Sequence, residues 1–188
     1  MNTAILNHHV QEYIWEQQDI SPAVIALQKS PFPLVSSTEL ATQIDGLQRT
    51  KRKIPLWAKK KGLYFPYKLN LEQCSSQETA LFKASLVPEN AQIIDLTGGF
   101  GVDSFFLASA AENLIHCELD NNLSEIVSYN MQQLGCDNVT CIAGDGISFL
   151  NKSTPLFDTI YLDPSRRVQQ KKVFRLTDCE PDILKLQD

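Results

Sequence analysis

A glycine-rich segment directly after a short apolar run constrains this chain more than any other feature. Residues 92–96, Gln-Ile-Ile-Asp-Leu, have the length and composition of a buried strand, and Thr-Gly-Gly-Phe-Gly follows at residues 97–101. Glycines at this position let the backbone turn sharply and approach a ligand closely. Residues 102–111 then have the spacing of an amphipathic helix, whose first turn offers free N–H groups. The segment therefore predicts a strand, a ligand-binding loop and a helix.

Short apolar runs and helical patterns alternate from residue 92 onward. Links this short between successive elements imply a parallel sheet with right-handed crossovers. We therefore predict an α/β fold with a doubly wound, mainly parallel Rossmann-like sheet, whose ligands bind beyond the carboxyl ends of the strands. The predicted strands are residues 92–96, 114–118, 139–143 and 157–162, and the predicted helices between them are residues 102–111 and 124–134, the latter capped by Gly135.

The alternation stops early, after Asp163. A capping box at Thr177 and Glu180, followed by Pro181, predicts one more helix before the sequence ends at Asp188. A doubly wound sheet usually has roughly five or more strands, and fewer are predicted here. We therefore expect a C-terminally truncated sheet, with an exposed fourth strand that could pair with another copy of the chain.

Residues 1–72 have a different pattern and predict a helical N-terminal region, which precedes a second region of residues 73–188. Residues 51–70 combine prolines, aromatic residues and basic residues, and they predict an extended or looped connection. A helix is predicted on either side of this connection, the second one running from residue 75 through residue 86. The helix-start signals in the N-terminal part of the chain are Ser21-Pro22, Ser36 with Glu39, and Ser75 with Glu78.

Acidic residues follow three successive predicted strands. Asp95 and Glu118 lie at the ends of the first and second strands, and Asp145 follows the third. Since these strand ends meet at one edge of the sheet, a single adenosine-containing ligand could contact all three carboxylates. Glu118 is placed to accept both ribose hydroxyls, and Asp145 is placed to accept from an adenine amino group. Asp145 before Gly146 is equally consistent with a simple turn.

The glycine loop differs from the two common phosphate-binding loops. Ser104 stands where the dinucleotide fingerprint has its third glycine, and no Gly-Lys-[Ser/Thr] is present to hold a triphosphate. Asp103 would repel a pyrophosphate and attract a cation, although a carboxylate in a first helical turn also suits the helix dipole alone. S-adenosylmethionine (SAM) carries an ammonium group and a sulfonium centre, so the acidic loop fits SAM better than NAD. The predicted cofactor-binding residues are Asp95, Thr97, Gly98, Gly99, Gly101, Asp103, Glu118 and Asp145.

The fourth predicted strand ends in Leu-Asp-Pro-Ser-Arg-Arg, residues 162–167. Because this end abuts the expected cofactor site, Asp163 could orient or deprotonate an acceptor nitrogen. Pro164 would stiffen the turn, and Arg166 or Arg167 could hold a phosphate. The alternative is a charged loop that follows a strand. We predict that Asp163, Pro164 and Arg166 are catalytic and that Arg166 and Arg167 bind substrate.

Taken in this order, the features resemble the class I SAM-dependent methyltransferases over about residues 75–167. The resemblance makes residues 95–103 the first motif of that class. It makes Glu118 the ribose-binding acid, Asp145 the adenine-side acid, and residues 163–164 the fourth motif. The resemblance implies a Rossmann-like fold, SAM as the cofactor and methyl transfer as the reaction.

Within the class, three stretches resemble one bacterial family, the THUMP-like-domain methyltransferases. The stretches are residues 71–80, 95–103 and 163–167. That family carries a further C-terminal THUMP-like domain, and THUMP domains bind RNA, so the resemblance implies an RNA substrate. Many enzymes that methylate base amines have Asp/Asn-Pro-Pro and then an aromatic residue, whereas Ser165 and Arg166 stand here. An arginine plane could stack on a base instead, or the acceptor is not a base amine.

A basic and aromatic segment in the N-terminal region also suggests RNA. Seven of the 17 basic residues lie within residues 49–61, although the net charge is −5. Trp57 lies among them, and Tyr64, Phe65 and Tyr67 follow. Cations that contact phosphates beside aromatic rings that stack on bases would form an RNA-binding surface. The alternative is that the aromatic rings pack the helices onto the sheet.

The cysteines, the histidines and the apolar runs argue against disulfides, metal sites and membrane spans. Five cysteines without a Cys-x-x-Cys pair predict neither a disulfide framework nor a zinc site. His8 and His9 are adjacent and would point about 100° apart on a helix, so we predict no metal. No apolar run approaches the roughly 20 residues of a membrane span, and residues 1–10 show no secretory signal, so we expect a cytoplasmic protein. A non-catalytic SAM- or RNA-binding module and an NAD-dependent oxidoreductase are the alternative functions.

Overall fold

The N-terminal part of the chain is helical, as predicted. The structure is a computed structural model, and it describes residues 1–152, 156–164, 167–168, 171–172 and 181. Two short 3-10 helices, Thr3–Leu6 and Trp57–Lys59, accompany five α-helices in this part. The α-helices are α1 (His8–Glu16), α2 (Pro22–Leu27), α3 (Ser37–Lys53), α4 (Lys68–Gln73) and α5 (Gln77–Ala84).

The capping box at Ser36 is confirmed. Ser36 Oγ accepts from the Glu39 N–H at 3.2 Å, and the Glu39 carboxylate accepts from the Ser36 N–H at 2.7 Å. The predicted extended connection of residues 51–70 is wrong at both ends. Helix α3 continues because Ile54 remains on its buried face, with the Ile54 N–H donating to the Thr50 carbonyl at 2.8 Å. Helix α4 begins at Lys68, inside the same segment.

The predicted capping box at Ser75 and Glu78 is wrong by one residue. Ser76 Oγ accepts from the Thr79 N–H at 3.2 Å and begins α5, which ends at Ala84 rather than at residue 86. Ser75 is engaged elsewhere, since its hydroxyl donates to Asp103 at 2.9 Å. Ser75 therefore makes a long-range contact with Asp103, and the adjacent Ser76 caps the helix.

Four parallel strands form the sheet, in the order β3-β2-β1-β4. This order confirms the predicted doubly wound α/β fold. Within the described residues β4 pairs with β1 alone, so it forms an edge. A separate antiparallel pair, β5 (Arg167–Val168) and β6 (Lys171–Lys172), was not predicted. The sheet consists of β1 (Ala91–Asp95), β2 (Ala111–Glu118), β3 (Val139–Ala143) and β4 (Thr159–Tyr161), and its helices are α6 (Val102–Leu107), α7 (Asn121–Leu134) and α8 (Gly146–Lys152).

The connecting helices differ from their predictions in three places. Helix α6 ends at Leu107, and Ala111 belongs to β2, so the predicted helix over residues 102–111 is too long. Helix α7 begins three residues earlier than predicted, because Asp120 caps it by accepting from the N–H of Asn122 at 2.9 Å. Helix α8 was not predicted, since Asp145 and Gly146 had the pattern of a turn.

Helices cover both faces of the sheet. On one face, Ile93 and Leu114 pack with α6, α7 and the N-terminal helices in a single hydrophobic core. On the other face, Ile94 and Cys117 pack with apolar residues of α8. Because the larger core includes residues from Ile5 to Met131, the N-terminal helices and the sheet share one interior. The division at residue 72 stays a prediction.

In the described part of the chain, no helix combines the length and the apolar character needed to cross a membrane. The helix predicted from Thr177 and Glu180 lies outside the described residues, although Pro181 itself is described.

Candidate functional site

The glycine loop between β1 and α6 lies directly against β2. A Cβ atom on Gly98 would come within 2.1 Å of His116 Nε2, in a ring that is fully buried. Gly101 has a φ of +78° at the N-cap of α6, and a Cβ atom there would lie 2.7 Å from Val127 Cγ1. Packing against β2 and α7 therefore requires glycine at both positions and fixes the path of the loop.

Asp95 lies beneath the loop and is 1% exposed. Its Oδ1 accepts from the Thr97 N–H at 3.0 Å, and its Oδ2 accepts from the Ser104 hydroxyl at 2.5 Å. Burial raises the pKa of Asp95 to about 7, although both hydrogen bonds oppose the shift. The carboxylate thus ties the start of the loop to the first turn of α6.

His116 is the β2 neighbour of Asp95 in the sheet register. Its ring is fully buried, and neither ring nitrogen has a hydrogen-bond partner among the residues that the structure describes. Burial lowers the pKa of His116, so the ring is held neutral against the loop. This position was not predicted from the sequence, because it depends on strand pairing rather than on a local motif.

Glu118 joins the end of β2 to the glycine loop. Its Oε2 accepts from the Gly99 N–H at 2.9 Å, and its Oε1 accepts from the Asp120 N–H at 2.8 Å. The residue is only half-buried. Because each carboxylate oxygen has a second lone pair, both oxygens keep acceptor capacity on their open side.

Asp145 is exposed and begins α8. Its Oδ1 accepts from the Ile147 N–H at 3.2 Å, and its Oδ2 accepts from the Ser148 hydroxyl at 2.7 Å. The bond from Ser148 lowers the pKa of Asp145. A Cβ atom on Gly146 would lie 2.6 Å from the Leu96 carbonyl oxygen. Glycine is thus required where the turn after β3 meets the end of β1, which the sequence analysis did not predict.

Asp163 follows β4, and its carboxylate shares the Lys83 ammonium with Asp103 of α6. Its N–H donates to Thr97 Oγ1 at 2.8 Å, which joins the end of β4 to the glycine loop. Its Oδ2 accepts from Lys83 Nζ at 3.1 Å, while the side chain is 56% exposed. Tyr161 Oη lies 3.5 Å from the same carboxylate oxygen.

Lys83 is the residue around which this side of the cleft is organised. Nζ donates to Tyr161 Oη at 2.6 Å, to Ser75 Oγ at 3.0 Å and to the carboxylates of Asp163 and Asp103 at 3.1 and 3.2 Å. Four oxygen atoms thus share the three N–H groups of one ammonium. Lys83 was not predicted as a site residue, since a lysine in the last turn of a helix carries no signal of a partner 80 residues away.

Asp103 has one satisfied and one unsatisfied carboxylate oxygen. Oδ2 accepts from Ser75 and Lys83, whereas the buried Oδ1 has no hydrogen-bond donor in the described part of the chain. The side chain is 13% exposed. Burial raises the pKa of Tyr161 nearby, and the charges of Asp103 and Asp163 raise it further. The phenol therefore stays protonated beside the ammonium.

These groups line a single cleft of about 1290 Å³ at the carboxyl ends of the strands. All the predicted cofactor-binding residues line it, and so do Asp163 and Pro164. We call residues 95–103 the loop wall, and we call Tyr161 and Asp163, with Lys83 and Ser75 against them, the β4 wall. Arg166 lies outside the described residues, and only the backbone of Arg167, in β5, is described.

The aromatic residues of the basic segment are divided between core and surface. Trp57 is fully buried, and its ring makes edge contacts with Phe100 at 5.2 Å and Phe105 at 5.4 Å between centroids. Phe65 is also buried, whereas Tyr67 is 75% exposed. The packing alternative is therefore correct for Trp57 and Phe65. Trp57 supports the loop wall from beneath, through Phe100.

The basic side chains of the same segment are also divided. Arg49 pairs with Asp45 at 2.6 Å, and Lys51 pairs with Asp19 at 3.2 Å. The exposed basic residues that form no ion pair with a described residue are Arg52, Lys59, Lys60 and Lys61, and Lys61 Nζ lies 5.3 Å from the centroid of the Trp15 ring.

Contrary to the helical-wheel argument, His8 and His9 converge on one acid. Their Nδ1 atoms lie 3.3 and 3.8 Å from the Glu12 carboxylate. All three side chains are exposed, far along the chain from the cleft residues.

Comparisons with known proteins place the chain beside methyltransferases. No protein-family model matches it. It is 29% identical over 142 residues to an uncharacterised RNA methyltransferase of Mycoplasma mobile, a match that covers 73% of this chain and 39% of the relative. A crystal structure of a proposed methyltransferase from Porphyromonas gingivalis W83 is 32% identical, with a TM-score of 0.82, over 98% of this chain and 45% of that protein.

The structural likeness confirms the methyltransferase-type Rossmann-like fold together with its N-terminal helical region. Both similarities support a methyltransferase of class I. The chain spans less than half of the length of either relative.

Proposed function

We propose that this chain forms the SAM-binding part of a SAM-dependent methyltransferase that acts on RNA. One observation carries the proposal: Asp103, Glu118 and Asp145, from three successive strand–helix units, line one cleft together with the glycine loop. Acids at these positions suit a cationic, adenosine-containing ligand and disfavour a pyrophosphate. The similarity to methyltransferases supports the same ligand.

The unsatisfied oxygen of Asp103 supports the fit of SAM. An unpaired buried acceptor costs roughly 1–3 kcal/mol, and the ammonium of an amino acid would supply the missing donor to Oδ1. Glu118 keeps acceptor capacity for ribose hydroxyls, and Asp145, which is exposed in the cleft, would accept from the adenine amino group. We assign Asp103, Glu118 and Asp145 to these three parts of the ligand.

The β4 wall supports methyl transfer rather than binding alone. When bound, SAM supplies an electrophilic methyl group, so the protein mainly has to position the acceptor and take up its proton. Asp163 is exposed, and only its Oδ2 has a hydrogen-bond partner in the described residues. We assign its Oδ1 to the acceptor nucleophile. The hydroxyl of Thr97 holds the Asp163 backbone in place.

RNA is the acceptor that the surface and the relatives favour. The Mycoplasma mobile relative is named an RNA methyltransferase. Arg52, Lys59 and Lys60 are exposed and free to contact phosphates. We also propose membership of the THUMP-like-domain family, on residues 71–80, 95–103 and 163–167.

Calorimetry with SAM tests the cofactor site. We expect binding at micromolar Kd and a loss of at least about tenfold in affinity for Glu118→Ala, since removing a carboxylate leaves hydroxyl donors unpaired. Asp137→Ala is the matched control, because Asp137 is an exposed acid away from the cleft. Binding of NAD without binding of SAM would instead establish the oxidoreductase alternative.

Transfer of a labelled methyl group from SAM to unmodified tRNA and rRNA transcripts tests the reaction. We expect Asp163→Asn to lower the rate by roughly 100-fold with little change in the Kd of SAM, as for a lost proton acceptor. Tight SAM binding with no transfer to any RNA would favour the non-catalytic binding module.

A further inference from the structure

The charges that line the cleft are strongly unequal. Of the described residues that line it, Lys83 is the sole basic one. The other ionisable side chains of known charge preference in this lining are mainly acidic, so the cleft favours a cationic ligand. The acidic residues of the lining are Glu72, Asp95, Asp103, Glu118, Asp145 and Asp163.

Lys83 lies where the two walls of the cleft meet. Its ammonium contacts Asp103, which follows the glycine loop, and Asp163, which follows β4. The side chain is 24% exposed, so water screens these contacts only in part. Tyr161 Oη and Ser75 Oγ hold Nζ from the remaining directions. This geometry fixes one positive charge between two carboxylates that would otherwise face the ligand uncompensated.

We infer that Lys83 sets how strongly the cleft distinguishes SAM from its product, S-adenosylhomocysteine (SAH). This inference rests on the proposed function and adds a specificity-determining residue to it. In methyl transfer the acceptor nucleophile would bond to the methyl carbon, and the carbon–sulfur bond would break with its electron pair left on sulfur. The proton of the acceptor passes to Asp163. The cofactor therefore changes from a sulfonium cation to a neutral thioether.

A cleft with only carboxylates would bind the cation much more tightly than the neutral product. Such tight binding of the reactant raises the barrier, because the positive charge moves away from the sulfur during the reaction. Lys83 offsets Asp103 and Asp163 and reduces that preference. Removing the charge of Lys83 should therefore strengthen the binding of SAM relative to that of SAH. Removing an exposed lysine elsewhere should have no such effect.

The test is calorimetry with SAM and with SAH on the whole chain and four variants. In K83M and K83Q the ratio of SAM affinity to SAH affinity should rise about tenfold, as expected for one charge removed from a partly desolvated site. K83R keeps the charge and should stay within about twofold of the parent. K60M removes an exposed lysine of the surface and should also leave the ratio unchanged.

The ratio separates charge from structural damage, because distortion of the cleft weakens both ligands together. The increase should also shrink in about 0.5 M salt, where charges are screened over a few ångströms. If K83M and K83Q fold but leave the ratio of SAM affinity to SAH affinity unchanged, or if K83R raises it equally, the inference is wrong. Binding of SAM to the parent chain would in that case still support the cofactor site. Absence of SAM binding to the parent chain would overturn the cofactor site itself, and this inference with it.

Discussion

The two walls of the cleft are built by different interactions. The loop wall has Trp57 beneath Phe100, His116 beneath Gly98, and the buried carboxylate of Asp95 at its start. The β4 wall depends on polar contacts of one side chain, Lys83, with partners as exposed as Asp163. The difference teaches that packing determines the first wall and charge determines the second. Substitutions in the loop wall should therefore affect folding, and those in the β4 wall should mainly affect ligands.

The largest effect should come from Trp57→Ala. Removing a fully buried indole that contacts both Phe100 and Phe105 should lower the free energy of unfolding by roughly 3–5 kcal/mol. Urea unfolding measures this loss. Tyr67→Ala is the matched control, because that ring is 75% exposed and should contribute less than about 0.5 kcal/mol. Equal losses in the two variants would contradict the assignment of Trp57 to the core of the loop wall.

The second prediction concerns the pH dependence that Asp95 produces. Its pKa rises from 3.8 in the unfolded chain to about 7 in the folded chain. Between these values the folded state binds more protons, so stability falls as the pH rises through the folded pKa. Relative to Asp95→Asn, the parent chain should lose roughly 4 kcal/mol between pH 4 and pH 8, at about 1.4 kcal/mol per pH unit. Urea unfolding of both chains at several pH values measures the difference.

His116 should act in the opposite direction. Burial lowers its pKa below 6.5, so its contribution to stability is present above that pH and lost as the pH falls through the folded value. In His116→Leu this loss of stability at acidic pH should disappear, while the decline above pH 4 due to Asp95 remains. Urea unfolding of His116→Leu over the same pH range measures it.

For the Asp95 prediction, a parent chain whose stability did not differ from that of Asp95→Asn at any pH would show that folding does not raise the pKa of Asp95.

The next prediction distinguishes steric crowding at Gly98 from backbone strain at Gly135 as the reason for glycine. Gly98→Ala places a methyl group against His116 and should cost about 2–3 kcal/mol by overpacking. The same change in a His116→Ala background should cost less than about 1 kcal/mol, because the ring is gone. Gly135→Ala is the control: nothing lies within 4 Å of its Cβ position, and only its φ of +78° opposes alanine, at about 1 kcal/mol. If Gly98→Ala costs as much in the His116→Ala background as in the parent chain, contact with the His116 ring is not the reason for glycine at position 98.

The smallest effect on stability should come from the β4 wall. Tyr161→Phe removes one acceptor from Lys83 at 2.6 Å and should lower the free energy of unfolding by about 1 kcal/mol. Thermal unfolding measures that loss, and Thr140→Val at an exposed sheet position provides a comparison outside the cleft. A loss as large as that of Trp57→Ala would remove the contrast between the walls.

The sequence predicts the loop wall better than the β4 wall for a physical reason. Apolar strand patterns and the glycines of residues 97–101 are local signals, and they placed β1 to within one residue and Glu118 at the end of β2. Lys83 belongs to the cleft through its contacts with Asp103 and Asp163, 20 and 80 residues away, and no local pattern encodes those separations. The same limit applies to Ser75, whose long-range bond to Asp103 displaced it from the predicted cap.

Two further misses occurred where a local pattern pointed to a different element from the one that tertiary contacts select. The Asp145-Gly146 pair begins α8 rather than a turn, because the Asp145 side chain caps the helix and the glycine fits against Leu96. The small residues at positions 108–111 favour a helix, but pairing of Ala111 with Ala91 places Ala111 in β2. Tertiary contacts decide where local preferences are nearly balanced.

The position of β4 at one side of β1 has a consequence for synthesis of the chain. Strands β1 to β3 and Asp145 are complete before the ribosome adds Asp163, 18 residues later by their numbering. At roughly 5–20 residues per second, that interval lasts about one to four seconds. During it one edge of β1 has no partner strand, although β2 and the glycine loop already exist. We expect a nascent chain at this stage to expose that edge of β1 to pairing with a neighbouring chain more than a chain that includes β4 does.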